Sequence, residues 1–322
     1  MKIDCHNHLG VDVLFYLQGE FPYAQDLPTL VADGQRHGVT HWIAFPMVAN
    51  LSFSPKAMLD GRLEIGGIED VPYALENRRM LEEVYSLFPD EGKRILPFMI
   101  LDPERETEAQ AKNLRLLKKD FRFYGLKIQG TMIQSRVKGL LGPGKVFLDL
   151  AREWDIPLII HSSYARGDVW SQSSDILDVA EANPDIRFCL AHSCRFEKTC
   201  LDRLADLPNC WFDCSAHCIH CDAVELGLAI VAPEAERFPS DYSHPGRVLA
   251  DLAAAYPAKL LWGTDSPFYS YVGKLGTELL SLRSSYAREA TALEALSPET
   301  LQRVTCANIL NFLKLADESI LS

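Results

Sequence analysis

The chain alternates between two patterns. Short apolar runs close on a polar residue, and longer stretches repeat their apolar positions every three or four residues. The first run, Ile3-Asp4-Cys5-His6-Asn7-His8, alternates strictly and predicts a strand with Asp4, His6 and His8 on one face and Ile3, Cys5 and Asn7 on the other. Seven more runs predict strands at 40–46, 95–101, 124–129, 157–161, 186–192, 210–215 and 259–265, several of them nearly continuous in apolar residues. That is the signature of parallel strands covered on their outer face.

Between the strands, helical periodicity covers 25–37, 74–88, 146–154, 176–182, 196–204 and 245–256. Asp102-Pro103-Glu104 reads as a helix start, with a cap, a proline at the first position and an acid in the first turn. Ser297-Pro298-Glu299 caps a last helix through Leu313, while 11–21 reads as a loop. The strand-to-strand repeat in mid-chain is roughly 30 residues, the size of a βαβ unit. Eight such units in 322 residues predict one (β/α)8 TIM barrel over 1–322, with long loops after strands 2 and 7. The first of these, 47–71, is long enough to be a lid or binding loop.

Composition narrows the classes. With 48% hydrophobic residues the chain can bury a large core, and a net charge of −12 without a basic cluster argues against nucleic-acid or anionic-membrane binding. No apolar run is long enough to span a bilayer, and no leader pattern precedes the first strand. Nine cysteines make an odd count for a disulfide framework, and Cys5, Cys189 and Cys214 fall inside predicted strands. The expectation is a reduced, cytoplasmic protein with buried thiols.

Barrel enzymes carry their chemistry at the C-terminal ends of the strands. His6 and His8 end strand one, Lys127 and Gln129 strand four, His161 strand five, His192 strand six and Asp265 strand eight. Two imidazoles two apart on a strand can reach one metal ion if further ligands arrive from other strands. With Trp262-Gly263-Thr264-Asp265-Ser266-Pro267-Phe268 and Ala307-Asn308-Ile309-Leu310-Asn311-Phe312, these positions resemble the metal-dependent amidohydrolase superfamily along essentially the whole chain. The branch they are most similar to is the amidohydrolase-related one, which contains hydrolases, lactonases and aminocarboxymuconate-semialdehyde-type decarboxylases.

The resemblance implies that His6, His8, His161 and Asp265 hold one divalent metal, zinc first and manganese or iron next, and that Asp265 and His192 are catalytic. It also implies a homodimer. Lys127 stays open between a structural ion pair and, with His192, a second-metal or substrate role; a binuclear site with carboxylated Lys127 is the lesser alternative. Gln129 stands where the branch often has a histidine, which bears on substrate class.

Arg166 and Arg195 are candidates for carboxylate binding, or solvated loop arginines. The segment Cys214-Ser-Ala-His217-Cys218-Ile-His220-Cys221 lacks the paired spacing of structural zinc sites and reads as a loop at the pocket mouth. The activity implied is hydrolysis of a small amide, lactone or ester by a metal-activated water. The alternatives are non-oxidative decarboxylation of a small acid at the same site, or metal-dependent ligand binding without turnover.

Overall fold

The computed structural model describes residues 1–275 and 278–316; the last residues of the expected domain, 317–322, lie outside them. Eight parallel strands run in sequence order: β1 (Ile3–Val11), β2 (His41–Pro46), β3 (Ile95–Ile100), β4 (Gly125–Ile128), β5 (Leu158–Ile160), β6 (Phe188–Leu190), β7 (Cys210–Asp213) and β8 (Leu260–Leu261). The curled sheet returns on itself. The Cys5 amide donates to the Trp262 carbonyl at 3.0 Å, the Asp265 amide to His6 at 2.9 Å and the His8 amide to Ser266 at 2.8 Å, and Asn7 bridges Ser266 in parallel. Gly263 permits this seam, because a Cβ there would lie 2.8 Å from the His6 Cβ.

Two apolar layers follow from the strand pattern. Ile3, Cys5, Ile43, Phe45, Phe98, Ile159 and Leu261 fill the barrel interior, and Ile309, Phe312 and Leu313 of the helix Asn308–Leu313 join this cluster. The larger cluster lies between the strands and the surrounding helices. A floor packed in this way leaves the opposite end of the barrel for chemistry.

The faces of β1 differ from strict alternation. Asp4 pairs with Trp42 but Asn7 with Ala44, so β1 carries one extra residue there, a bulge. Asp4 therefore does not share the face of His6 and His8. Its buried carboxylate accepts from Thr264 Oγ1 at 2.7 Å and from the Tyr286 hydroxyl at 2.6 Å, while His6 and His8 face the barrel mouth, packed edge-on against Phe45.

Three further expectations are corrected. Residues 11–21 contain a helix, Val13–Gln18, because the Asp12 carboxylate caps the Phe15 amide at 2.8 Å and Gly19 ends it with φ 72°. The helix after β3 begins at Thr107, not at Asp102; Asp102 Oδ1 instead takes the Glu104 and Arg105 amides in a turn, with Arg105 paired to its other oxygen. After β7 the chain forms the helix His217–Glu225 rather than a loop. The hairpin β9 (Tyr271–Leu275) and β10 (Glu278–Leu282) follows β8.

Candidate active site

At the C-terminal end of the barrel lies a cavity of about 410 Å³. His6, His8, Lys127, Gln129, His161, His192, Arg195 and Asp265, all singled out in the sequence, line it. Arg166 does not: it is solvent-exposed, in a separate surface cleft with Tyr164, Glu197 and Glu236. No residue of the segment 47–71 lines the cavity. The apolar wall comes from Phe15, Ile219, Ile230, Phe268 and Leu280.

The tightest group is His6, His8 and Asp265, whose ligand atoms lie within 4.8 Å of one another. Asp265 Oδ1 is 3.4 Å from His6 Nε2 and 3.2 Å from His8 Nε2. Asp265 sits in the left-handed region at φ 66°, a conformation that aspartate tolerates better than most residues.

A residue missed in the sequence orients this group. Asp213, the last residue of β7, accepts from His6 Nδ1 at 2.9 Å. That bond places the proton on Nδ1 and leaves the Nε2 lone pair toward Asp265. The other Asp213 oxygen accepts the Ser215 amide, the Ser215 hydroxyl and the His192 amide. Burial raises the carboxyl pKa, but the His6 imidazole, Ser215 and Lys127 outweigh it and hold Asp213 down at about 2.

A cation suits the convergence. The His6 Nε2 lone pair and the Asp265 oxygen face each other, both electron-rich, and the Lys127 ammonium donates into the same place, 3.0 Å from His6 Nε2. His8 Nδ1 is buried with no hydrogen-bond partner among the described residues, while its Nε2 faces the Asp265 carboxylate. Two imidazoles and a carboxylate are donors that zinc, manganese or iron accept. Burial lowers the Lys127 pKa to about 8 and that of His8 to about 4.

The other two histidines form a relay beside this group. His192 Nε2 lies 2.9 Å from His161 Nδ1, and His192 Nδ1 lies 3.1 Å from the Ser215 carbonyl and 3.8 Å from Asp265 Oδ2. His161 is therefore one hydrogen bond removed from the three-residue group, and its Nε2 faces Arg195 at 3.4 Å. Burial, then the Arg195 charge, holds both His161 and His192 well below the usual imidazole range, so both are neutral at pH 7.

His192 opens an unusual turn. From His192 to Phe196 every residue has positive φ, between 49° and 65°, and none is glycine. Left-handed backbone costs roughly 1–2 kcal/mol per such residue, so the surroundings must enforce it. The His192 amide is held by Asp213, the Arg195 carbonyl accepts the Ala232 amide at 3.0 Å and the Phe196 carbonyl the Phe238 amide at 2.8 Å. The turn brings Arg195 to the cavity, where Nε donates to the Ser162 carbonyl at 3.0 Å and the terminal nitrogens face His220 and His161.

His220, on the buried face of the helix His217–Glu225, lines the cavity, from the segment that the sequence places at the pocket mouth. Gln129 caps the helix Gly130–Ile133 through Oε1, 2.8 Å from the Met132 amide. His217 contacts the Pro245 carbonyl, and all nine cysteines are buried, with none joining a metal-type cluster among the described residues.

Residues 3–315 match the family model described as amidohydrolase. A search of curated proteins by sequence finds no significant match. Among solved structures, a probable 2-pyrone-4,6-dicarboxylic acid hydrolase from Acinetobacter baumannii with citric acid bound aligns over 98% of this chain and 99% of its own, at 13% identity and a TM-score of 0.59. Dihydroorotase from Campylobacter jejuni aligns over 98% and 83%, at 17% identity and 0.56. The apo IDCase of Metarhizium anisopliae aligns over 98% and 97%, at 12% identity and 0.55. At these identities the likeness is one of fold. No helix among the described residues is long and apolar enough to cross a membrane.

Proposed function

This chain belongs to the amidohydrolase family, and from that premise we propose that it is a metal-dependent hydrolase acting on a small amide, lactone or ester. One observation carries the reading: His6, His8 and Asp265 converge within 4.8 Å in the cavity, with Asp213 fixing the His6 tautomer. The ion proposed is zinc, with manganese or iron compatible, held by His6, His8 and Asp265.

A divalent cation in this place supplies Lewis acidity and brings the pKa of a water toward ~7. The chain's own groups do the remaining work. Asp265 accepts the water proton and passes it to the leaving group, since its Oδ2 remains free toward the His192 side. His192, neutral at pH 7, donates its one N–H from Nδ1 to the Ser215 carbonyl and meets His161 Nδ1 through Nε2, so its ring is fixed beside Asp265 before substrate arrives.

The same constellation supports a second reading, carboxy-lyase chemistry, because the Asp265 carboxyl, having taken a proton, could deliver it to carbon instead of to a leaving group. A panel of simple esters, lactones and amides, followed on zinc-loaded protein by titration of released acid, tests the first reading. Turnover is expected, and Asp265→Asn should lower kcat by at least about 10²-fold. Release of carbon dioxide from small acids with no hydrolysis anywhere in the panel would select the second reading.

A further inference from the structure

Arg195 is a guanidinium directed into the cavity with no anionic partner. Its hydrogen-bond partners are the Ser162 carbonyl and the imidazoles of His220 and His161, none of them a carboxylate. The other deeply placed guanidinium, Arg187, pairs with Asp155 at 2.8 Å. The carboxylates nearest to Arg195 are committed elsewhere. Asp168 takes the Trp170 and Ser171 amides and the Thr131 hydroxyl, Asp213 takes His6 and Ser215, and Asp265 faces His6 and His8. A partly buried guanidinium without a carboxylate in contact is costly, and a strained left-handed turn that places it at the cavity leaves room for a ligand to supply the countercharge.

Three hydrogen bonds leave two of the five guanidinium N–H groups available. Their planar fork matches a carboxylate. Part of the cavity wall is apolar. Phe268 stands edge-on to His8 at 5.0 Å and to Phe15 at 5.5 Å, and Ile219, Ile230 and Leu280 complete the lining. Such walls suit a compact apolar body.

We propose that Arg195 anchors a carboxylate of the substrate, and that the substrate is a compact, mainly apolar acid whose reactive carbonyl lies toward His6, His8 and Asp265. The anchor stands on Arg195 alone, whereas the word "reactive" rests on the hydrolytic reading above. His220 is the positioning residue, holding one end of the guanidinium.

Calorimetric titration of the zinc-loaded full chain with benzoate, its neutral counterpart benzamide and inorganic phosphate tests this, repeated after chelation so that carboxylate binding at a metal is separated. Benzoate should bind at least tenfold more tightly than benzamide or phosphate, with and without metal. Arg195→Gln should erase the preference, and Arg195→Lys, which keeps the charge but not the fork, should retain part of it. If Arg195→Gln does not fold, the wild-type preference and the Arg195→Lys value decide. Benzoate and benzamide binding within twofold of each other, phosphate binding as tightly as benzoate, or a preference undiminished in either folded variant would overturn the anchor. The two readings fail separately. A benzoate preference in protein that hydrolyses nothing leaves the anchor and removes the hydrolase; equal turnover of neutral and anionic esters does the reverse.

Discussion

Asp213 decides more of the site than any residue legible as a ligand. One carboxylate oxygen sets the His6 proton, and the other ties Ser215 and the start of the left-handed turn, so β1, β6 and β7 are registered to one another through a single side chain. Asp213→Asn keeps the shape but presents an amide that can donate to His6 Nδ1 and place the lone pair on the wrong nitrogen. Zinc affinity should fall about 10–100-fold, the usual cost of losing a carboxylate behind a ligating histidine, as read by competition with a chelator. Unchanged affinity would mean that the His6 tautomer is set by something else. The residue escaped the sequence reading because strand seven was drawn to Ser215, which makes Asp213 look internal. The rule that exposed His161, His192 and Asp265, a polar residue closing an apolar run, would have found it with the boundary two residues earlier.

The elements show where pattern reading holds and where it stops. Eight apolar runs became eight strands because parallel strands bury both faces and leave little ambiguity in sequence. The β1 bulge did not show, since alternation of apolar and polar residues looks the same with or without one extra residue, and only the pairing of Asp4 with Trp42 and Asn7 with Ala44 reveals it. Length alone marked 47–71 as the pocket loop, whereas the wall is built by Phe15 and by the β9–β10 hairpin, whose contribution depends on where the chain crosses the mouth. The helix His217–Glu225, read as a loop, is fixed at its start by a buried acid. The Glu289 carboxyl accepts the Cys218 amide at 3.2 Å and the Ser284 hydroxyl at 2.7 Å.

Burial pushes the Glu289 carboxyl up to about 7, against those hydrogen bonds. An unfolded glutamate titrates near ~4.3. Between these values the folded chain keeps a proton that the unfolded chain has released, so this group's stabilisation is present at low pH, fades as pH rises and is gone above about 7. Glu289→Gln removes that dependence. Its unfolding free energy relative to wild type should improve between pH 5 and pH 8, by on the order of 3 kcal/mol at most, as measured by urea denaturation. A constant difference across that range would show that Glu289 is already ionised at pH 5.

At the scale of the whole molecule, one end of the barrel is sealed by apolar packing and the other is held open by charge. Ile309, Phe312 and Leu313 join the interior cluster from below. Above, Lys127 and Arg195 bring positive charge, and Glu20, Asp168 and Asp265 negative charge, into a lining that is otherwise apolar or neutral, with Asp213 behind His6. Closure of the first strand onto the last makes the site, since His6 and His8 come from one side of the seam and Asp265 from the other, with the Asp265 amide bonded to the His6 carbonyl. A metal bound there would link the two ends of the fold, and its removal should loosen the seam first. Metal analysis of the full chain and of the His6→Asn, His8→Asn and Asp265→Asn variants tests this most directly. The account predicts one equivalent of divalent metal in the wild type and a loss of at least tenfold in affinity in each variant. Retention of metal at wild-type affinity in all three would contradict it.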